Sequence, residues 1–526
     1  MKATFKPLSL AVAVAAASVG YAGMANAQAT LADNSGLGDM AIVPYYTTNA
    51  NYATGVDIVN TSALTQVVKI RLRRATDSMD ALDFIVVLSP EDVWTGYIQK
   101  DGATTGVDPA TIRFYSNDNS CTAPAMEAGG YFTMPDIYRL GAGEGYIEVI
   151  GMGAADSSQP ISRDALHNSE GVPFACDRVR DNFRWGDNPA DYGVNADPNR
   201  RGVISSVETR SWSTLATQTL VTSNYTDTGN VLKVSYFIKS DETGFEFGNN
   251  AVHFADFMDG ASITNQKLGI FEGDLQGFDH PDLNGGAPFS ATVEPTVGAA
   301  ARGAYEPVRT AIGARAIVND WSKKQTELFS VDTDWVVTTP GQYLMTNLGA
   351  YLASIVPGSP TTCGAGDPAV AYNIVTGANC DFRDIPMVAR FKVLDREEQG
   401  IIIDEGDLVV SPQPPGEQVI DVLDQEVNVI VWGESDVLVP AKRISVPTPA
   451  DSEFGWSKLE VTQSAIKTQA ICDFTDLGSP LPVTCTATDT PVPLVGFVAW
   501  QRNFANLAEA NYGRLVEHSY IVSSAP

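Results

Sequence analysis

Basic side chains are scarce in this 526-residue chain: 34 Lys and Arg stand against 63 Asp and Glu, a formal net charge of −29. Nucleic-acid binding rests on Lys and Arg neutralising phosphates, so the balance argues against DNA or RNA and against bare anionic lipid as partners. Histidine is rarer still, with only His167, His253, His280 and His518. A Ser-His-Asp relay needs one well-placed His, and none of the four lies in a recognisable local signature. The chain also lacks a G-x-S-x-G elbow, an H-E-x-x-H pair, a Walker loop and a dinucleotide fingerprint. Paired carboxylates could support glycoside hydrolysis, but 63 acidic residues give such a pairing almost no specificity. Long apolar runs are missing as well. The run from Leu8 to Val19 is the longest, short of the roughly 20 residues a membrane helix needs, so no membrane span is expected.

That short run belongs to a leader. Lys2 and Lys6 precede it and Ala25-Asn26-Ala27 follow before Gln28, the pattern of a secretory signal peptide over 1–27. The expected location is extracellular or on the outer cell surface, with the periplasm as the alternative. No cysteine follows the cleavage point to carry a lipid anchor. Loss of Lys2 and Lys6 takes the formal charge from −29 to −31, a self-repulsion that salt or bridging divalent cations relieve. The six cysteines fall in three sequential couples, Cys121 with Cys176, Cys363 with Cys380 and Cys472 with Cys485. An even count in an exported chain reads as disulfides, and no C-x-x-C or Cys/His cluster supports a metal site instead. Sequential pairing is expected, because the last two couples enclose short segments with Gly, Pro and Asp that resemble hairpin loops.

With 44% hydrophobic residues the chain can bury large cores, and its dominant period is two. In Val67 to Arg73, Val68, Ile70 and Leu72 alternate with Lys69, Arg71 and Arg73, a strand expected to be apolar on one face and solvated on the other. Similar strands are expected at Ala41 to Tyr46, Asp83 to Leu88, Tyr146 to Ile150, Val231 to Lys239, Trp335 to Thr338, Met387 to Leu394, Val427 to Trp432 and Pro493 to Trp500. Turn residues separate them at Asp227-Thr228-Gly229-Asn230, Asn284-Gly285-Gly286 and Pro414-Pro415-Gly416. The one good helical signal is Glu306-Pro307 followed by Val308 to Val318, weakened by Gly313. The fold class is therefore mainly β, antiparallel and sandwich-like, with long polar insertions and few helices. An N-terminal β-rich domain over 28–240, a Gly/Asp/Asn-rich insertion or linker over 241–300 and a C-terminal β-rich domain over 301–526 are the expected units.

Two acidic turns are candidate calcium sites: Asp187, Asp191 and Asp197 in one, Asp279, Asp282 and Asn284 in the other. Calcium takes six to eight oxygen ligands, and both loops concentrate them, but neither has EF-hand spacing and each reads first as solvated Asx-turns. Exposed aromatics could stack on sugars, yet Trp94, Trp335 and Trp432 lie in strand patterns and are assigned to the core.

Val43-Pro44-Tyr45-Tyr46, Val59-Asn60-Thr61, Leu88-Ser89-Pro90-Glu91-Asp92-Val93-Trp94, Asn319-Asp320-Trp321, Thr333-Asp334-Trp335, Asp395-Arg396-Glu397-Glu398, Ser411-Pro412-Gln413-Pro414-Pro415-Gly416 and Asn511-Tyr512-Gly513 together resemble a family of secreted proteobacterial β-rich proteins. The resemblance extends more loosely to the surface-layer-like proteins of marine gammaproteobacteria. It implies an exported, non-catalytic structural protein of the cell surface or biofilm matrix that self-associates, and it supplies no active-site residues; with no anchor segment recognisable, attachment is expected to be noncovalent, to lipopolysaccharide or surface polysaccharide. The alternatives are a secreted carbohydrate-binding or adhesive protein, which requires exposed Trp or Tyr, and a carboxylate-dependent hydrolase.

Overall fold

In the computed structural model the described residues are 29–76, 78, 80–101, 111–134, 141–180, 182–183, 225–240, 242, 244–258, 260–261, 263, 281–283, 305–341, 372–373, 378–379, 387–403, 409–411, 422–423, 425–463, 491–507 and 510–522. They are mainly β, in antiparallel sheets with three short helices.

The first half builds a sandwich. One seven-stranded sheet runs, from edge to edge, β1 (Thr30–Leu31), β13 (Val252–Ala255), β2 (Met40–Thr47), β10 (Glu144–Ala155), β4 (Thr65–Arg74), β5 (Asp80–Leu88) and β8 (Cys121–Ala123). The facing six-stranded sheet runs β12 (Phe245–Asn250), β11 (Leu232–Ser240), β3 (Tyr52–Asn60), β6 (Val93–Asp101), β7 (Thr111–Tyr115) and β9 (Tyr131–Thr133). Strands β12 and β13 fall within 241–300. Successive strand side chains point to opposite faces, so Ile70 and Leu72 from β4 meet Ile58 from β3 and Trp94 and Ile98 from β6 in one buried cluster. Phe84 on β5 anchors it, with its ring centroid 5.9 Å from Trp94, 5.2 Å from Phe114 and 4.6 Å from Phe132. Each of these rings buries on the order of 150–250 Å².

The outer face of the seven-stranded sheet departs from expectation. At one end Val67, Ile85, Val87 and Met152 are covered by helices α1 (Pro160–Ala165) and α2 (Cys176–Arg180), with the Cys121–Cys176 disulfide tying α2 to β8. Further along the same face, Lys69, Arg71 and Arg73 are buried, not solvated: all ten residues of β4 are inaccessible. Alternation correctly separated the basic set from the apolar set, and the error lay in assigning the basic side to water.

The second half forms a 12-stranded sheet wrapped into two layers. Strand β15 (Ala316–Gln325) pairs with β25 (Phe454–Gln463) and β29 (Ser519–Ile521) along its first part, then with β16 (Phe329–Thr338) at Lys323 to Gln325. The first layer continues through β19 (Met387–Asp395) to β20 (Gly400–Ile403) and β22 (Val422–Leu423). The second joins β16 to β23 (Val427–Trp432) and β27 (Val495–Phe504) and continues to β28 (Tyr512–Glu517). Its far edge carries β24 (Arg443–Val446), parallel to β23, and β21 (Val409–Ser411). Two small ladders complete the set, β14 (Gly313–Ala314) with β26 (Val492–Pro493) and β17 (Tyr372–Asn373) with β18 (Ala378–Asn379). Trp321, Trp335 and Trp432 fill the space between the layers, so Trp94, Trp335 and Trp432 are all core residues as expected. The helix α3 covers only Tyr305–Ala311, and the chain enters β14 at Gly313, so the expected continuation to Val318 is wrong. Ile317 packs in the core as a strand residue, a tertiary contact that overrides local periodicity.

The two halves meet across apolar and polar contacts. Val336, Val429 and Phe497 belong to the same buried cluster as the first sandwich, and the Phe497 ring lies 6.4 Å from Tyr45 and 6.1 Å from Tyr236. Thr338 donates to the Pro44 carbonyl at 2.6 Å and Tyr52 to the Val437 carbonyl at 2.8 Å. Glu144 accepts from Tyr45 (2.8 Å) and from the Ala441 amide (2.9 Å), and its burial raises its pKa.

Candidate functional site

Three of the histidines fall in the described residues, and His167 stands in the most suggestive setting. Its Nδ1 lies 3.0 Å from Ser89 Oγ and 3.6 Å from Asp92 Oδ2. A catalytic relay puts the nucleophile and the acid on opposite ring nitrogens. Here both face the same one, and Asp92 itself accepts from the Ser89 hydroxyl (3.1 Å) and amide (3.0 Å) and from the Ser120 hydroxyl (3.3 Å). What the trio does is close the turn from Ser89 to Val93 between β5 and β6. His253 accepts the Val234 amide at Nε2 (2.8 Å), and burial lowers its pKa. His518 is fully buried against Trp335, with Nε2 2.9 Å from the Val336 carbonyl, and burial pushes its pKa down to about 4. Both are held as neutral rings within the scaffold. His280 lies outside the described residues.

The buried basic stripe is the densest charged group. Lys69 Nζ meets Asp83 Oδ1 at 2.8 Å, Arg73 Nε meets Glu148 Oε1 at 3.0 Å, and Arg71 Nε lies 3.9 Å from Glu148 Oε2. Desolvation raises the Glu148 pKa, the Arg73 and Arg71 guanidiniums oppose that, and nearby Asp282 adds to it. Arg71 also donates to the Pro281 carbonyl at 3.2 Å. Asp282, a candidate calcium ligand, is therefore buried beside arginines. Asp187, Asp191, Asp197, Asp279 and Asn284 lie outside the described residues, among which no group of three or more His, Cys, Asp or Glu is arranged around a metal position. Cys121 and Cys176 are bonded as the first sequential couple, and Cys363, Cys380, Cys472 and Cys485 lie outside the described residues.

The surface feature that the sequence reading missed is on the outer face of the six-stranded sheet. Odd-numbered positions of β6, β7 and β9 point away from the core. The register places Tyr97 opposite Tyr115 and Tyr115 opposite Tyr131. The Tyr97 and Tyr115 rings stack at 5.2 Å with 14° between planes, Tyr131 follows at 5.4 Å, and the Arg113 guanidinium lies 4.2 Å over Tyr131 while pairing with Asp101. On the other side Tyr97 pairs with Gly55, where a Cβ would fall 2.1 Å from the Phe237 ring, so only glycine lets Phe237 lie across β3. The result is an aromatic row over five strands, Phe237, Gly55, Tyr97, Tyr115 and Tyr131, with half-buried rings. Asp57 and Thr95 flank it on one side, Gln99, Arg113 and Thr133 on the other. Its signal was present in Val93 to Asp101, where Trp94, Gly96 and Ile98 alternate with Thr95, Tyr97 and Gln99. The three tyrosines sit on three separate strands and Phe237 on another, which hid the row.

No family model, curated protein or solved structure matches the chain.

Proposed function

We propose that this protein is an exported, non-catalytic component of the cell surface or extracellular matrix that holds polysaccharide on the outer face of its six-stranded sheet. The observation that carries this reading is the row of Tyr97, Tyr115 and Tyr131 with Arg113. A phenol offers an apolar body to the C–H faces of a pyranose and a hydroxyl to its ring substituents. The flanking Asp57, Thr95, Gln99 and Thr133 add acceptors and donors at the sheet's roughly 4.8 Å strand spacing. An extended chain of sugars fits such a row better than a single ring does. The same scaffold serves a structural role, since rings fixed on strands lose little side-chain entropy when a ligand binds.

The test is affinity electrophoresis and isothermal titration of the mature protein against lipopolysaccharide and neutral and acidic surface polysaccharides. Tyr97→Ala with Tyr115→Ala should weaken binding at least about tenfold, or roughly 1.4 kcal/mol, without lowering the melting temperature by more than a few degrees. If wild-type protein retains no polysaccharide, or the double variant binds as well as wild type, the reading is wrong.

A further inference from the structure

Beyond the Trp335 and Val498 core, on the same face of β16, β27 and β28, lies a second, partly exposed patch that the tyrosine row does not explain. Register puts Phe329 opposite Phe504, Trp500 opposite Arg514 and Arg502 opposite Tyr512. The Arg502 guanidinium lies 4.2 Å from the Phe329 ring and 4.9 Å from Phe504, and Arg514 lies 4.7 Å from Trp500, which itself packs 5.3 Å from Tyr512. At the patch edge Leu328 is 69% exposed, Leu507 49% and Tyr512 45%. The Leu328 carbonyl accepts the Ala505 amide at 3.0 Å, which holds that hairpin tip beside the patch.

Among the described residues neither Arg502 nor Arg514 is paired with a carboxylate. That is notable in a chain whose acidic residues outnumber its basic ones by 63 to 34. The rings hold both guanidiniums, while the Arg502 Nε is buried with no hydrogen-bond partner. Arginine stacked on aromatics still offers its terminal Nη edge to a carboxylate approaching in plane.

We infer that this Arg502/Arg514 aromatic patch docks an acidic surface of a second copy of the chain. Charge complementarity selects the occupant, because the patch carries two arginines without a carboxylate partner among the described residues of a polyanion, and each neighbouring copy presents an excess of carboxylates. Its composition is that of a protein interface core, with Trp, Tyr, Phe and Arg fringed by exposed leucines. Two such patches facing each other would bring arginines together, so the contact is heterologous. A heterologous contact that does not close grows into chains. Global repulsion between copies is screened beyond about 8 Å at physiological salt, whereas the close guanidinium–carboxylate contacts persist. The inference concerns a different face from the tyrosine row and stands or falls separately from polysaccharide binding there.

The experiment is sedimentation velocity of the mature protein over a concentration series in about 0.15 M NaCl. The mean mass of wild type should climb with concentration without stopping at a dimer. Arg502→Glu with Arg514→Glu should remain monomeric over the same range, and Tyr512→Ala should weaken association several-fold, with unchanged circular dichroism and melting. If the charge-reversed protein does not fold, Arg502→Lys with Arg514→Lys replaces it; loss of planar stacking should still weaken association at least several-fold. The inference is overturned if wild type stays monomeric throughout or if the folded variants assemble as wild type does. It is also overturned if polygalacturonate binds wild type and not the variant while both remain monomeric, which assigns the patch to an acidic glycan. Tyr97→Ala with Tyr115→Ala should assemble like wild type.

Discussion

Replacing Glu148 isolates the energetics of the buried charged stripe. Glu148 is fully buried on β10, 3.0 Å from Arg73 and 3.9 Å from Arg71, with the Lys69–Asp83 pair fully buried on the same sheet face. Moving ions out of water costs several kcal/mol each, so a buried pair adds little net stability, but removing one partner strands the other in a medium that cannot solvate it. Glu148→Gln keeps the shape and one acceptor while deleting the charge, and should cost about 3 kcal/mol. Glu148→Leu removes the acceptor as well and should cost about 5 kcal/mol, the upper part of the range for breaking a buried pair. For a cooperative unit of roughly 200 residues, each kcal/mol moves the melting temperature by about 2–4 °C, so the two variants should melt roughly 6–12 and 10–20 °C below wild type. The assay is urea and thermal unfolding followed by tryptophan fluorescence, with Trp94 reporting from the core of the same sandwich. The internal control is Glu453→Gln, which breaks the partly exposed Lys324–Glu453 pair and should cost under about 1 kcal/mol. If Glu148→Gln changes stability no more than Glu453→Gln does, with the same m-value, the stripe is solvated and the account of a dry charged layer fails.

Burial pushes Asp334 up to about 7 from an ordinary 3.8, although Ser435 and the Leu438 amide donate to it. Between those values the folded protein holds a proton that the unfolded chain lacks, so the Asp334 contribution to stability should rise as pH falls from 7 towards 4, by at most about 4 kcal/mol, against an opposite contribution from His518, whose folded pKa is pushed down to about 4. The stability of wild type relative to Asp334→Asn should therefore increase as pH falls from 7 towards 4, a comparison in which the shared contributions of Asp39, which burial pushes up to about 6, and of His518 cancel; a difference in melting temperature that does not change with pH refutes the assignment. The Cys121–Cys176 bond closes a loop with a sequence separation of 55, worth about 4 kcal/mol in the chain-entropy account. Cys121→Ser with Cys176→Ser should lower stability by up to that amount and expose the α1–α2 segment first to hydrogen exchange, and uniform loss of protection across both halves would contradict that.

Period-two patterning was enough to establish a mainly antiparallel β fold and to place most of the central strands, because alternation is a local property of a pleated backbone with one apolar side. It also assigned Trp94, Trp335 and Trp432 to the core, since large rings within such strands have no other low-energy place. What alternation does not carry is which face another part of the chain will cover. Lys69, Arg71 and Arg73 form the polar side of β4 in either case, and only the tertiary structure, by bringing Asp83, Glu148 and the segment at Pro281 onto that side, made it a buried ion network. The end of α3 at Ala311 was decided in the same way, by strand pairing and core packing that begin at Gly313. The two surface patches depend wholly on register. Tyr97, Tyr115, Tyr131 and Phe237 come from four strands, and Phe329, Trp500, Arg502 and Arg514 from three. Their juxtaposition is set by hydrogen-bonded pairing between distant segments, where a slip of one residue would turn every one of those side chains to the opposite face.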